Sequence, residues 1–129
     1  MKQLIIMLLI ALAFTSCKKE EEEPLNFIGN WTVDSYEENG VDQTTLFKAT
    51  YLNYIIKFDA ANNYIETYTI GVINFTNAGP WKLTNNGTDL ELTNQADNVK
   101  RYIKIEELNT SSATITENSG EKSYNLRKI

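Results

Sequence analysis

From Asn30 to the end of the chain, apolar and polar residues alternate in short runs, and clusters of asparagine, glycine or serine separate most of them. A period of two sends successive side chains to opposite faces of a strand, so each run offers one face to a core and one to water. Leu52, Tyr54, Ile56 and Phe58 alternate with Asn53 and Lys57, and Leu90 and Leu92 with Asp89, Glu91 and Thr93. Ile103 and Ile105 do the same against Lys104 and Glu106. The pattern predicts strands over 30–38, 52–59, 64–70, 71–75, 80–84, 89–93, 100–108, 113–117 and 122–127. Turns are expected at Asn39-Gly40, Ala61-Asn62-Asn63, Asn77-Ala78-Gly79, Asn85-Asn86-Gly87, Asn109-Thr110-Ser111 and Ser119-Gly120. Asparagine and glycine accept the positive φ that tight hairpins require. Helices are nearly excluded. Residues 41–51 are left as a loop or short helix, although Thr44-Thr45-Leu46-Phe47-Lys48 also suits a strand. One covered face per short antiparallel strand fits a sandwich or a closed barrel, and periodicity does not choose between them.

The first 25 residues have a different character. Lys2 supplies a positive start, Leu4 to Phe14 form an apolar run too short to span a bilayer, and small residues Thr15 and Ser16 precede the single cysteine, Cys17. Phe14-Thr15-Ser16-Cys17 resembles the lipobox of bacterial lipoproteins, with phenylalanine where that pattern usually has an aliphatic residue. The resemblance implies a signal peptide over 1–16, removed ahead of Cys17, and acyl chains on Cys17. Acylation also accounts for a thiol with no intramolecular partner in an exported chain. Lys18-Lys19-Glu20-Glu21-Glu22-Glu23-Pro24 offers nothing apolar to bury, so 17–25 reads as a solvated tether. Charged residues directly behind the lipidated cysteine resemble the surface-export signal of lipoproteins in the Bacteroidetes group. That implies an outer-membrane protein held through its acyl chains, with surface exposure favoured over a periplasmic position. At about 0.8 kcal/mol per buried methylene, two or three chains hold a small domain on a membrane without a spanning segment.

The remaining residues, 26–129, are enough for one domain with a modest core. The full chain carries a net charge of -5. Without 1–16, which contain only Lys2, the charge becomes -6, and without the tether's two lysines and four glutamates about -4 remains on the domain. A nucleic-acid partner is not expected, because the one tight basic group, Lys100-Arg101 with Lys104, is followed by Glu106 and Glu107.

Phe27-Ile28-Gly29-Asn30-Trp31 resembles the opening of lipocalin-like domains, in which Gly-x-Trp starts the first strand of an eight-stranded up-and-down barrel and the tryptophan plugs its narrow end. The resemblance assigns Gly29 and Trp31 to the barrel base and places Arg127, near the end of the last strand, across the indole as a cation-π partner worth about 0.5–2 kcal/mol. Gly79-Pro80-Trp81-Lys82-Leu83 followed by Asp89-Leu90-Glu91-Leu92 is similar to the mid-barrel hairpin of Bacteroidetes lipocalin-like lipoproteins. The fold class expected is therefore an all-β, antiparallel, lipocalin-like barrel of about eight strands.

Catalytic chemistry is sparse. There is no histidine, so the usual general base and the commonest zinc ligand are missing. Glu37-Glu38 and Glu106-Glu107 are neighbours on strands and point to opposite faces, so acid-base work would need carboxylates brought together from different strands. No enzymatic activity, cofactor or metal site is expected; Asp59, Asn62 and Asn63 are explained by a turn. The most suggestive set is Tyr64, Glu66, Tyr68 and Ile70 on one face of a strand. If that face is inside, Glu66 must meet a ligand or a cation such as Arg101, which shares a period with Ile103 and Ile105. The plainer reading has this face outside and Glu66 in water. Tyr54, Tyr64 and Tyr68, with Glu66 and Arg101, are the candidate ligand residues. Tyr36, Tyr51, Phe75 and Tyr102 suit either a pocket or a surface patch. The expected role is binding of a small apolar or amphipathic ligand at the cell envelope, and the alternative is an interaction or inhibitor module with no internal ligand. The oligomeric state is left open.

Overall fold

The structure, a computed structural model, describes residues 26–129. The expected signal peptide over 1–16, Cys17 and the tether over 17–25 lie outside the described residues. In chain order the elements are β1 (Gly29–Glu38), β2 (Val41–Asp42), α1 (Thr44–Thr50), β3 (Leu52–Phe58), β4 (Asn63–Ile70), β5 (Ile73–Thr84), β6 (Asp89–Thr93), β7 (Lys100–Leu108), β8 (Ser112–Glu117) and β9 (Lys122–Lys128). Sheet order is β2-β1-β3-β4-β5-β6-β7-β8-β9, and a further β1–β9 pairing closes it. All these pairings are antiparallel between successive barrel strands. The strands other than β2 therefore form an eight-stranded up-and-down barrel, and β2 is a two-residue addition to β1.

Alternation along most strands builds the interior, as the period of two requires; the exceptions are Leu52, exposed where the β3–β4 register shifts, and Glu91, covered between Leu90 and Leu92 where Lys82 and Lys100 pair with it. Trp31, Leu90 and Leu92 are fully covered, and Phe27, Phe58, Ile103, Ala113 and Leu126 pack with them into one core. Trp31 closes the base, where its indole Nε1 donates to the Phe27 carbonyl at 2.8 Å. Gly29 has φ +136°, a conformation that side-chain-bearing residues rarely adopt. The β1–β9 register shifts between Val33 and Ser35. That bulge changes the parity of β1, so the inward set passes from Trp31 and Val33 to Tyr36 and Glu38.

One stretch is different in the structure. The runs 71–75 and 80–84 are one long strand, β5, and Asn77-Ala78-Gly79 is inside it and not a turn. Gly79 is needed for close approach: a Cβ there would lie 1.9 Å from the Thr93 carbonyl oxygen, where Gln95 N–H also donates to the Ala78 carbonyl at 2.8 Å. The real turn is Gly71-Val72, between the paired residues Ile70 and Ile73. The segment 41–51, expected as a loop or short helix, holds the two-residue β2 and then α1, a seven-residue helix. Its Phe47 is buried against Tyr36, Tyr51, Tyr54 and Tyr124.

Candidate functional site

At the end of the barrel opposite Trp31, the strands enclose an open cup of about 490 Å³, within the ~300–1,000 Å³ common for small-molecule sites. Tyr36, Phe47, Tyr51, Tyr54, Tyr68 and Tyr124 supply its aromatic wall. The rings touch in sequence: Phe47 stands 5.1 Å from Tyr36, 4.8 Å from Tyr51 and 5.6 Å from Tyr54 by centroid, and Tyr68 stands 5.4 Å from Tyr51. α1 thus covers part of the mouth, and Phe47 is the hub that fastens it. Below the cup the barrel is filled, with a residual space of about 10 Å³, the lower limit for one water.

Between the cup and the packed base lies a charged floor. Arg101 Nη1 donates to both Glu66 oxygens at 3.0 and 3.1 Å, and Nη2 donates to Glu117 Oε1 at 2.6 Å. The Tyr54 hydroxyl donates to Glu66 Oε1 at 2.5 Å and Asn77 Nδ2 to Glu66 Oε2 at 2.9 Å. Each Glu66 oxygen therefore accepts two bonds, the arrangement that makes a buried carboxylate tolerable. Burial alone would push the Glu66 carboxyl up, but the Arg101 guanidinium and the Tyr54 and Asn77 donors hold it below the ordinary value of 4.5. Burial would likewise lower Arg101, yet Glu66 and Glu117 keep its guanidinium firmly protonated. Burial, with Glu66 beside it, pushes the Tyr54 hydroxyl well up, so it stays a donor at neutral pH. Burial together with Glu117 does the same for Tyr124.

Of the residues singled out from the sequence, Tyr54, Glu66, Tyr68 and Arg101 meet at the cup. Glu66 faces inward, which corrects the plainer reading of β4 with its tyrosines outside. Tyr64 is on the same face but does not line the cup: two residues nearer the base, about 6.6 Å along the strand, it is buried in the packed half. Glu117, Asn77 and Phe47 were missed. Glu117 shares a period with Ala113 and Ile115, which would have marked it as inward. Asn77 falls in an expected turn, and Phe47 in the segment expected as a loop or short helix. Tyr36 and Tyr51 line the cup, Phe75 stacks on Tyr68 from outside the lining, and Tyr102 is exposed.

Arg127 requires a correction. It points outward, with Nε 3.7 Å from Asp34 Oδ1, and the cation over Trp31 is Lys128, whose Nζ is 5.3 Å from the ring centroid. Leu126 is buried, so on a strand Lys128 shares its side and Arg127 takes the opposite one. Asp59 is occupied by its own turn, where Oδ1 accepts from the Ala61 and Asn63 amides. Among the described residues no acidic, cysteine or histidine cluster could hold a metal ion.

Comparison with solved structures found a lipocalin-like protein from Bacteroides uniformis, with a TM-score of 0.62 and 17% identity, covering 79% of this chain and 97% of the other. The fold is lipocalin-like. At that identity the likeness speaks for the fold alone. No protein-family model matches the chain, and no curated protein does.

Proposed function

We propose that this chain is an exported, lipid-anchored binding protein of the bacterial envelope, holding a small amphipathic ligand in the open end of its barrel. The cup carries this reading: one cavity combines a continuous aromatic wall with a preorganised polar floor. Rings provide contact area at little conformational cost, and the floor groups fix orientation. Recognition suits these residues better than reaction. Glu66 and Glu117 do converge from different strands, but both are committed to Arg101, and Glu66 is held ionised, the wrong state for a proton donor.

The anchor and the envelope location rest on the residues around Cys17. Cys17→Ser is expected to move the protein out of the membrane fraction, and continued sedimentation with membranes would contradict the anchor. For the cup, calorimetric binding of a neutral amphiphile such as decanol is expected, with loss of binding in Thr50→Trp, which fills the mouth from the end of α1. Equal binding by that variant would remove the cup from the account. A second reading, docking of a protein partner, draws on the tip of the β4–β5 hairpin, where Val72 is 95% and Ile73 61% exposed. Capture of a partner that Val72→Lys abolishes, with no amphiphile bound, would favour it.

A further inference from the structure

We infer that the cup selects an amphiphile with a positively charged head, an alkylammonium and not a carboxylate. The inference rests on the binding function proposed above and adds the chemical class of the ligand. Its first support is the sign of the lining. Glu38, Glu66 and Glu117 stand against Arg101 and Lys122, three carboxylates against two cations, so the cavity carries a net charge of -1. In a concave site with low-dielectric walls, such an excess is felt more strongly than on an open surface.

The second support is how the floor is spent. Arg101 is the most exposed of the three floor groups, its side chain at 35% against 6% for Glu66 and 14% for Glu117. Taken alone, that exposure would recommend a carboxylate ligand. The guanidinium, however, already serves two carboxylates, so an incoming anion would reach Arg101 only by sitting beside both Glu66 and Glu117. Glu117 engages Arg101 through Oε1 alone, and its Oε2 accepts no hydrogen bond from the described residues. A cationic N–H would find that acceptor at the floor.

The wall is the third support. Tyr36, Tyr51, Tyr54, Tyr68 and Tyr124 line the space above the floor, and wherever a ring presents its negative face to a ligand it attracts a cation and repels an anion. Burial raises Tyr54 and Tyr124, so neither adds a phenolate that would alter the charge count near neutral pH. An alkyl tail then leaves by the mouth beside Leu46 and Phe47 of α1.

The test uses residues 26–129, which contain the whole closed barrel and its core, and three probes with the same tail: decylammonium, decanol and decanoate. Calorimetry at neutral pH should give decylammonium as the tightest, with decanoate weaker by about tenfold or more. Glu117→Gln should weaken decylammonium and strengthen decanoate. Because that variant also disturbs Arg101, Lys122→Gln serves as a second probe at the rim and should shift both affinities the opposite way. Decanoate binding as tightly as decylammonium, or insensitivity of both to Lys122→Gln, overturns the charge selection. If decanol and decylammonium bind equally while decanoate is excluded, the cation preference also falls, although the cup remains a binding site. Failure of all three probes, decanol included, overturns the binding function itself.

Discussion

Replacing Arg101 with methionine removes the one cation between Glu66 and Glu117 and leaves Glu66 buried with only the Tyr54 and Asn77 donors. Taking one partner from a buried ion pair costs about 3–5 kcal/mol, and the partial exposure of Arg101 places the loss near the low end, about 3 kcal/mol. For a domain of about 100 residues that lowers Tm by roughly 12–24 °C. The pH dependence is more diagnostic than the size. In the native protein the folded pKa of Glu66 lies below its ordinary 4.5. Its stabilisation is therefore fully present above that value and is lost as pH falls through the lower folded one. Without Arg101, burial dominates and the folded pKa rises above the unfolded one. The penalty is then fully present at neutral pH and is relieved as pH drops through that raised value. Urea unfolding followed by tryptophan fluorescence, run from neutral pH down to about pH 4, should show the gap between variant and native protein narrowing with acid. Adding Glu66→Gln to Arg101→Met should recover a large part of the loss, since the uncompensated charge is then gone. A variant within about 1 kcal/mol of the native protein, or a gap that widens with acid, would refute the electrostatic account of the floor.

Gly79→Ala should cost at least about 1–3 kcal/mol by denaturation, because the new Cβ meets the Thr93 carbonyl and backbone must shift. Lys128→Ala should lose about 0.5–1 kcal/mol and change the Trp31 emission, whereas Arg127→Ala, which breaks only an exposed pair, should lose under about 0.5 kcal/mol and leave emission unchanged. Phe47→Ala should cost about 3 kcal/mol and free α1, seen as fast hydrogen exchange at the Tyr51 amide, which now donates to the Phe47 carbonyl.

Alternation outlines much of the barrel wall, because half-buried strands such as Ser112–Glu117 separate their faces residue by residue; it fails at Leu52, exposed beside the register shift at the start of β3, and at Glu91, covered together with Leu90 and Leu92. It could not say which face of Asn63–Ile70 is inside: parity groups Tyr64, Glu66 and Tyr68, but only the position of Arg101 on a distant strand makes inward Glu66 tolerable. Asn77-Ala78-Gly79 misled because the residues that favour turns are also those used where a neighbouring backbone crowds a strand or a polar side chain must reach inward. Parity did hold the information for Glu117 and Lys128, each spaced by two from a buried aliphatic residue. Tyr36 and Glu38 needed the bulge after Val33, which no periodicity of β1 reveals.

Native mass spectrometry of the protein purified from its native source tests the binding cup most directly. The expected spectrum contains the chain plus one small organic molecule, and the added mass disappears in Thr50→Trp. A spectrum showing only the bare chain, or an added mass that survives closure of the mouth, would contradict the cup as the seat of function.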